Sequence, residues 1–144
     1  MSKDLKSLGR RFINEFNKGE EAAMAVIDEM VAADFVYHQG TGEDIHGLKD
    51  YKQSMREMFS AFPDIHWTID DMIVEGDKAA IRYTITGTHK GELMGILATN
   101  KKVTISVIGI DRLDGGKLVE AWDRMDTLGL MQQLGVIPTP GEGK

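Results

Sequence analysis

The chain reads as an α+β protein. Helical periodicity fills its first third, two-residue alternation fills most of the remainder, and turn glycines join the alternating runs into antiparallel hairpins. With 144 residues it is long enough to close one substantial core. We expect one domain over 1–144: a helical hairpin over 1–33, a sheet-bearing core over 34–138 and a mobile tail over 139–144.

From Lys3 to Lys18, Leu5, Leu8, Phe12 and Phe16 recur at helical spacing between basic residues, which predicts an amphipathic helix. Asn17-Lys18-Gly19 breaks it. A second helix runs from Glu20 to about Ala33, its acidic start suited to the helix dipole. Asp34 to His38 is crowded with aromatic and β-branched residues and reads as a short strand, followed by a loop over 39–44. A third helix after Gly47 carries Leu48, Tyr51, Met55, Met58, Phe59 and Phe62 on one stripe, and Pro63 ends it.

Ile65, Trp67 and Ile69 alternate with polar residues. The apolar parity then shifts to Met72 and Val74, which predicts a bulge near Asp70-Asp71. After a turn at Gly76-Asp77, Ile81, Tyr83 and Ile85 mark the apolar face of the next strand, and His89 keeps their parity. The apolar but glycine-punctuated segment 90–100 is a poor helix and a poor solvated loop, so it reads as a packed flap. Two strands flanking Asp114-Gly115-Gly116 form the last hairpin. A final short helix is capped by Asp126 or Thr127 and ended by Gly135.

The formal net charge of −6 and the lack of any basic cluster beyond a pair argue against nucleic acid or an anionic membrane as partner. Without cysteine there is no thiol nucleophile, disulfide or thiolate metal site. No run is apolar enough to span a bilayer and the amino terminus lacks a signal-peptide core, so a cytoplasmic location is the expectation. The four histidines show no metal-binding spacing and no glycine loop suits a phosphate, so neither metal nor cofactor is expected.

Chemistry is expected first at Asp123. Counting in twos along the last strand puts Val119, Ala121, Asp123 and Met125 on one face. A carboxylate among small and apolar neighbours is costly unless paired, and desolvation raises its pKa towards the range of neutral proton transfer. A salt bridge to Arg82, Arg112 or Arg124 is the alternative role. Asp126, at the strand–helix boundary, suits an N-cap and could also line a pocket mouth.

Glu120, Trp122, Asp126 and the ending Gln132-Gln133-Leu134-Gly135, with Phe62-Pro63-Asp64, Glu75-Gly76-Asp77 and Gly87-Thr88-His89 followed by Gly91-Glu92 and Gly95, resemble the SnoaL-like polyketide cyclase family. The resemblance spans roughly Phe35 to Pro138. It implies the cone-shaped fold shared with nuclear transport factor two and ketosteroid isomerase, a homo-oligomer (dimer or tetramer) packed through the sheet, and cofactor-free aldol cyclisation with Asp123 as general acid and base. The glutamine and histidine with which such cyclases hold the enolate fall here on Val107 and Gly109, which cannot donate hydrogen bonds. The flap likewise has Leu97-Ala98-Thr99-Asn100 in place of a Pro-Pro-Thr-Gly type of turn.

His38 and His89 are the candidate substitutes, since imidazole titrates in the useful range; a strand-end histidine bonded to backbone is the alternative for each. Tyr37, Tyr51, Met55, Met58, Phe59, Trp67, Val107, Gly109 and Ala121, with Asp126, are expected to surround a small hydrophobic substrate, or else to fill the core. Three readings stay open: aldol cyclisation, another reaction in the same pocket (isomerisation, hydration or hydrolysis), and a non-catalytic ligand-binding or dimerising module.

Overall fold

The structure, a computed structural model, describes residues 3–40, 42–138 and 140–141. Two helices open the chain, α1 (Lys3–Phe16) and α2 (Glu20–Met30), followed by β1 (Val31–His38), a two-residue β2 (Ile45–His46) and α3 (Leu48–Ala61). Four long strands follow, β3 (His66–Glu75), β4 (Lys78–Thr88), β5 (Lys102–Asp114) and β6 (Lys117–Met125), and α4 (Thr127–Leu134) closes the order. The tail expected over 139–144 falls mostly outside the described residues.

One unclosed sheet carries all six strands in the order β2-β1-β6-β5-β4-β3. Pairing is antiparallel except between β1 and β6, which run parallel. Local alternation cannot reveal that exception, because it depends on which distant strand β1 meets. β1 also begins three residues earlier than its composition suggests: Val31 is already extended and pairs with Leu118, so α2 stops at Met30 instead of near Ala33. The bulge falls where the parity shift puts it, between Ile69 and Asp71, and further register shifts interrupt β1 and β5. Each irregularity bends and twists its strand, curving the sheet around one face.

That inner face is apolar by strict alternation. Val103, Ile105, Val107 and Gly109 of β5 are buried, while Thr104, Ser106, Ile108 and Ile110 are exposed. α1 packs along β3 and α2, and α3 lies against β1, so the helices cover the concave side. Phe16 seals the junction, its ring edge-on to Trp67 and beside Phe59. No described helix is long and apolar enough to cross a membrane.

Two side-chain amides tie the ends of the chain to the sheet. Asn17 accepts from the Trp67 N–H and donates to the Trp67 carbonyl oxygen, both at 2.8 Å, so it behaves as a one-residue strand on the free edge of β3. Gln133 does the same for Thr104 of β5, accepting from its N–H at 2.7 Å and donating to its carbonyl oxygen at 2.8 Å. There β6 has not yet begun to pair with β5, and the amide takes its place. Gly135, in the left-handed conformation at φ 84°, then ends α4. Gln133→Ala removes both bonds at a water-accessible position, so we expect destabilisation of about 1 kcal/mol, measured as a lowered urea midpoint with an unchanged m-value.

Candidate active site

A cavity of about 520 Å³ opens between the inner sheet face and the helices. Its walls are overwhelmingly apolar, and no lysine, arginine or histidine lines it among the described residues. Besides Gln39, Ser54 and Glu57, its polar lining holds two carboxyls and three phenols. Asp123 enters from β6 and Asp111 from β5, while Tyr37 of β1, Tyr83 of β4 and Tyr51 of α3 converge on them from three further elements.

Asp123 is held by two phenols. Tyr37 donates to its Oδ2 at 2.8 Å and Tyr83 donates to the same oxygen at 2.9 Å. Burial pushes the Asp123 pKa up, and the two phenol hydrogen bonds partly offset the rise by favouring the carboxylate. Arg124 forms no ion pair with the carboxylate; it donates to the backbone oxygens of Asp123 and His38. The same burial, together with the negative Asp123, keeps all three tyrosines neutral by raising their pKa values.

The second oxygen, Oδ1, lies over Gly109, which is the residue directly across from Asp123 in the β5–β6 register. A Cβ at position 109 would collide with Oδ1 and would stand 2.9 Å from the Trp122 carbonyl oxygen. The missing side chain is thus the space that the carboxylate occupies. Glycine here has ordinary strand geometry, so the requirement is one of volume alone.

Asp111 is the carboxyl group that sequence reasoning overlooked. It follows Gly109 by two along β5 and shares the inward parity of Val107, so the alternation already held the signal. Burial, reinforced by the charge of Asp123, drives its pKa from 3.8 up to about 8. Tyr83 was likewise legible as an inward residue between Ile81 and Ile85, yet its hydroxyl partner was not.

Of the expected site residues, Tyr37, Tyr51, Met55, Met58, Trp67, Val107, Gly109, Ala121 and Asp123 meet around the cavity. The others stand elsewhere. His38 belongs to the opposite parity from Tyr37. Its ring stacks on Trp122 at 5.2 Å on the outer sheet face and bonds Asp44 and Glu120 at 2.8 and 2.7 Å, contacts that raise its pKa. His89 is fully buried beyond the cavity, where its Nδ1 accepts from the Thr99 N–H at 3.2 Å and pins the flap. Phe59 packs into the core against Phe16 and Trp67. Asp126 caps α4, accepting from the Gly129 N–H at 2.9 Å.

The flap is only half packed. Leu93 and Ile96 exchange backbone hydrogen bonds, and Leu93 and Met94 reach the cavity, whereas Leu97 is 75% exposed.

A curved sheet closed by helices over a carboxylate-ended apolar cavity defines a cone-shaped pocket protein. The family model of the SnoaL-like polyketide cyclases matches residues 7–134, and the chain belongs to that family. A comparison with curated protein sequences gives no match. Among solved structures it is similar to AclR from Streptomyces galilaeus, a proposed hydroxylase, at 27% identity and a TM-score of 0.84, covering 96% of this chain and 85% of that one. TsrD from Streptomyces laurentii gives 28% identity and 0.83, covering 95% and 98%. IdmH from Streptomyces antibioticus, a proposed polyketide cyclase, gives 26% and 0.77, covering 90% and 97%.

Gly109→Ala is expected to expel the Asp123 carboxyl from its place and to break at least one of its two phenol bonds. Carboxyl-detected NMR should then show the Asp123 signal displaced while circular dichroism still reports the native secondary structure; an unmoved signal would remove the steric argument.

Proposed function

We propose that this protein is a cofactor-independent enzyme in which Asp123 acts as general base and then general acid on a hydrophobic carbonyl compound. The observation that carries the reading is Asp123 itself, a carboxylate enclosed at the end of an apolar cavity and oriented through one oxygen by Tyr37 and Tyr83. That leaves Oδ1 free to take a proton from carbon α to a carbonyl, and burial makes the resulting acid strong enough in position, and weak enough in pKa, to return it. Aldol cyclisation fits the family. Isomerisation fits the same atoms, and the occupation of the Gly109 space by Asp123 favours keeping it as a second reading, since the imidazole of the aldol cyclases has no room there.

A reaction common to both readings is exchange of α-protons into heavy water, followed by proton NMR over a panel of hydrophobic ketones and esters. Wild type is expected to exchange at least one of them. Asp123→Asn should lose about 10²–10⁴-fold of that rate with little change in Tm, because no ion pair is broken. Exchange at the wild-type rate in the variant would sink the proposal, and no exchange by wild type across the panel would favour the ligand-binding module.

The outer face of the sheet supports self-association. Ile73, Ala80, Ile110 and Trp122 lie in one cross-strand row, with Ile108, 60% exposed, in the next. A flat apolar row of this kind suits a second copy of the same sheet. Light scattering is expected to report a dimer or tetramer for wild type and a monomer for Ile110→Lys; a monomeric wild type at tens of micromolar would exclude it.

A further inference from the structure

Both phenols nearest to Asp123 are already committed to its Oδ2, so neither has a proton left for a substrate oxygen. Two other groups at this end of the cavity are free. The Tyr51 hydroxyl and the Asp111 carboxyl have no hydrogen-bond partner among the described residues, and both line the cavity. A ligand atom entering the cavity therefore meets two polar groups that no described residue has claimed.

We infer that Asp111 and Tyr51 are the donor pair that receives the carbonyl oxygen of the substrate beside the Asp123 base. The inference rests on the proton-transfer reading above and adds to it the half that Val107 and Gly109 cannot supply.

Asp111 can donate only in its acid form, and its surroundings keep it there. The titratable groups facing it are Asp123 from β6, Tyr37 from β1, Tyr51 from α3 and Tyr83 from β4, and α3 also sends Glu57 to the cavity wall, while α1 and β3 present apolar groups to it. None is a cation. Removed from water and set beside a carboxylate, the group retains its proton up to about pH 8. The two acids on adjacent strands therefore take opposite roles, one accepting from two phenols, the other retaining its proton and unpartnered.

The step balances. Asp123 Oδ1 takes the α-proton, the C–H electron pair becomes the new carbon–carbon π bond, and the carbonyl π electrons move to oxygen. That oxygen takes a hydrogen bond from Tyr51 and the proton of Asp111, giving the enol. Return of the Asp123 proton to carbon, or attack of the enol carbon on a second carbonyl with protonation of the new alkoxide by Asp123, completes either isomerisation or aldol closure and restores both acids. With no cation among the described residues that line the cavity, the substrate class it suits is an uncharged, enolisable ketone or ester.

The test uses 2-naphthol, whose oxygen stands in for the enolate, titrated by fluorescence into Asp123→Asn, where the amide imitates the protonated base. Adding Asp111→Ala is expected to weaken binding about tenfold, the worth of one lost hydrogen bond, and adding Asp111→Asn, which keeps an N–H donor, by less than about threefold. Circular dichroism confirms that each variant is folded. Independently, carboxyl NMR of wild type should show Asp111 as the acid at pH 6.5. Equal naphthol binding with and without Asp111, no binding to Asp123→Asn, or an ionised Asp111 at pH 6.5 would overturn the donor pair. The base assignment is tested separately: a wild-type α-proton exchange rate in Asp123→Asn sinks that reading whatever naphthol does. Loss of exchange with Asp111-independent binding sinks only the donor pair.

Discussion

Asp123 has been taken out of water with no ion pair among the described residues to take water's place, and the inner half of the protein is arranged around that circumstance. An enclosed carboxylate with nothing to bond would protonate or draw solvent in. Two phenols, reaching from β1 and β4, stabilise its charge enough to keep it available while burial keeps it basic. Because those phenols come from strands on opposite sides of β6 and β5 in the sheet order, the curvature of the sheet is what brings them to one oxygen. The bulge in β3 and the register shifts in β1 and β5 thus serve the site as much as the fold.

The stability consequences run against the usual direction for acids. A native carboxyl with a raised pKa binds more protons than it does in the unfolded chain. Its contribution is complete at pH values below the unfolded pKa near 3.8 and declines as pH rises towards the native value, about 8 for Asp111. At neutral pH the molecule therefore carries a destabilising site, as catalytic clefts commonly do. His38 on the outer face has a raised pKa as well, from Glu120 first, but as a base: its stabilisation is complete below the unfolded pKa near 6.5 and is lost as pH rises through the native value. The two faces of one sheet thus both lose stability as pH rises, the inner through its acids and the outer through its base.

Much of this was legible in residue order, and the pattern of what was not is instructive. Period-two counting placed Asp123 and Tyr83 inward correctly, and it would have placed Asp111 inward and His38 outward had it been carried along β5 and β1. His38 was proposed for its chemistry although it shares the parity of Val36 and not of Tyr37. By contrast, nothing local could show that β1 would lie parallel to β6, that Tyr37 would therefore reach Asp123 across 86 residues, or that Gln133 would complete the pairing of Thr104. Those depend on which distant segments meet. Gly109 is the instructive middle case, since its residue type was noted as the loss of a donor when its role is to be empty.

That emptiness constrains how such a protein can change. A side chain at position 109 and the present Asp123 rotamer are mutually exclusive, so a donor such as histidine cannot be introduced there one substitution at a time without first displacing that carboxyl. The two positions form a coupled pair in which a change that helps in one background harms in the other. Starting from this chain, a route to an imidazole at position 109 must displace the Asp123 carboxyl or move both residues together, whereas the apolar walls of the cavity can change without touching either.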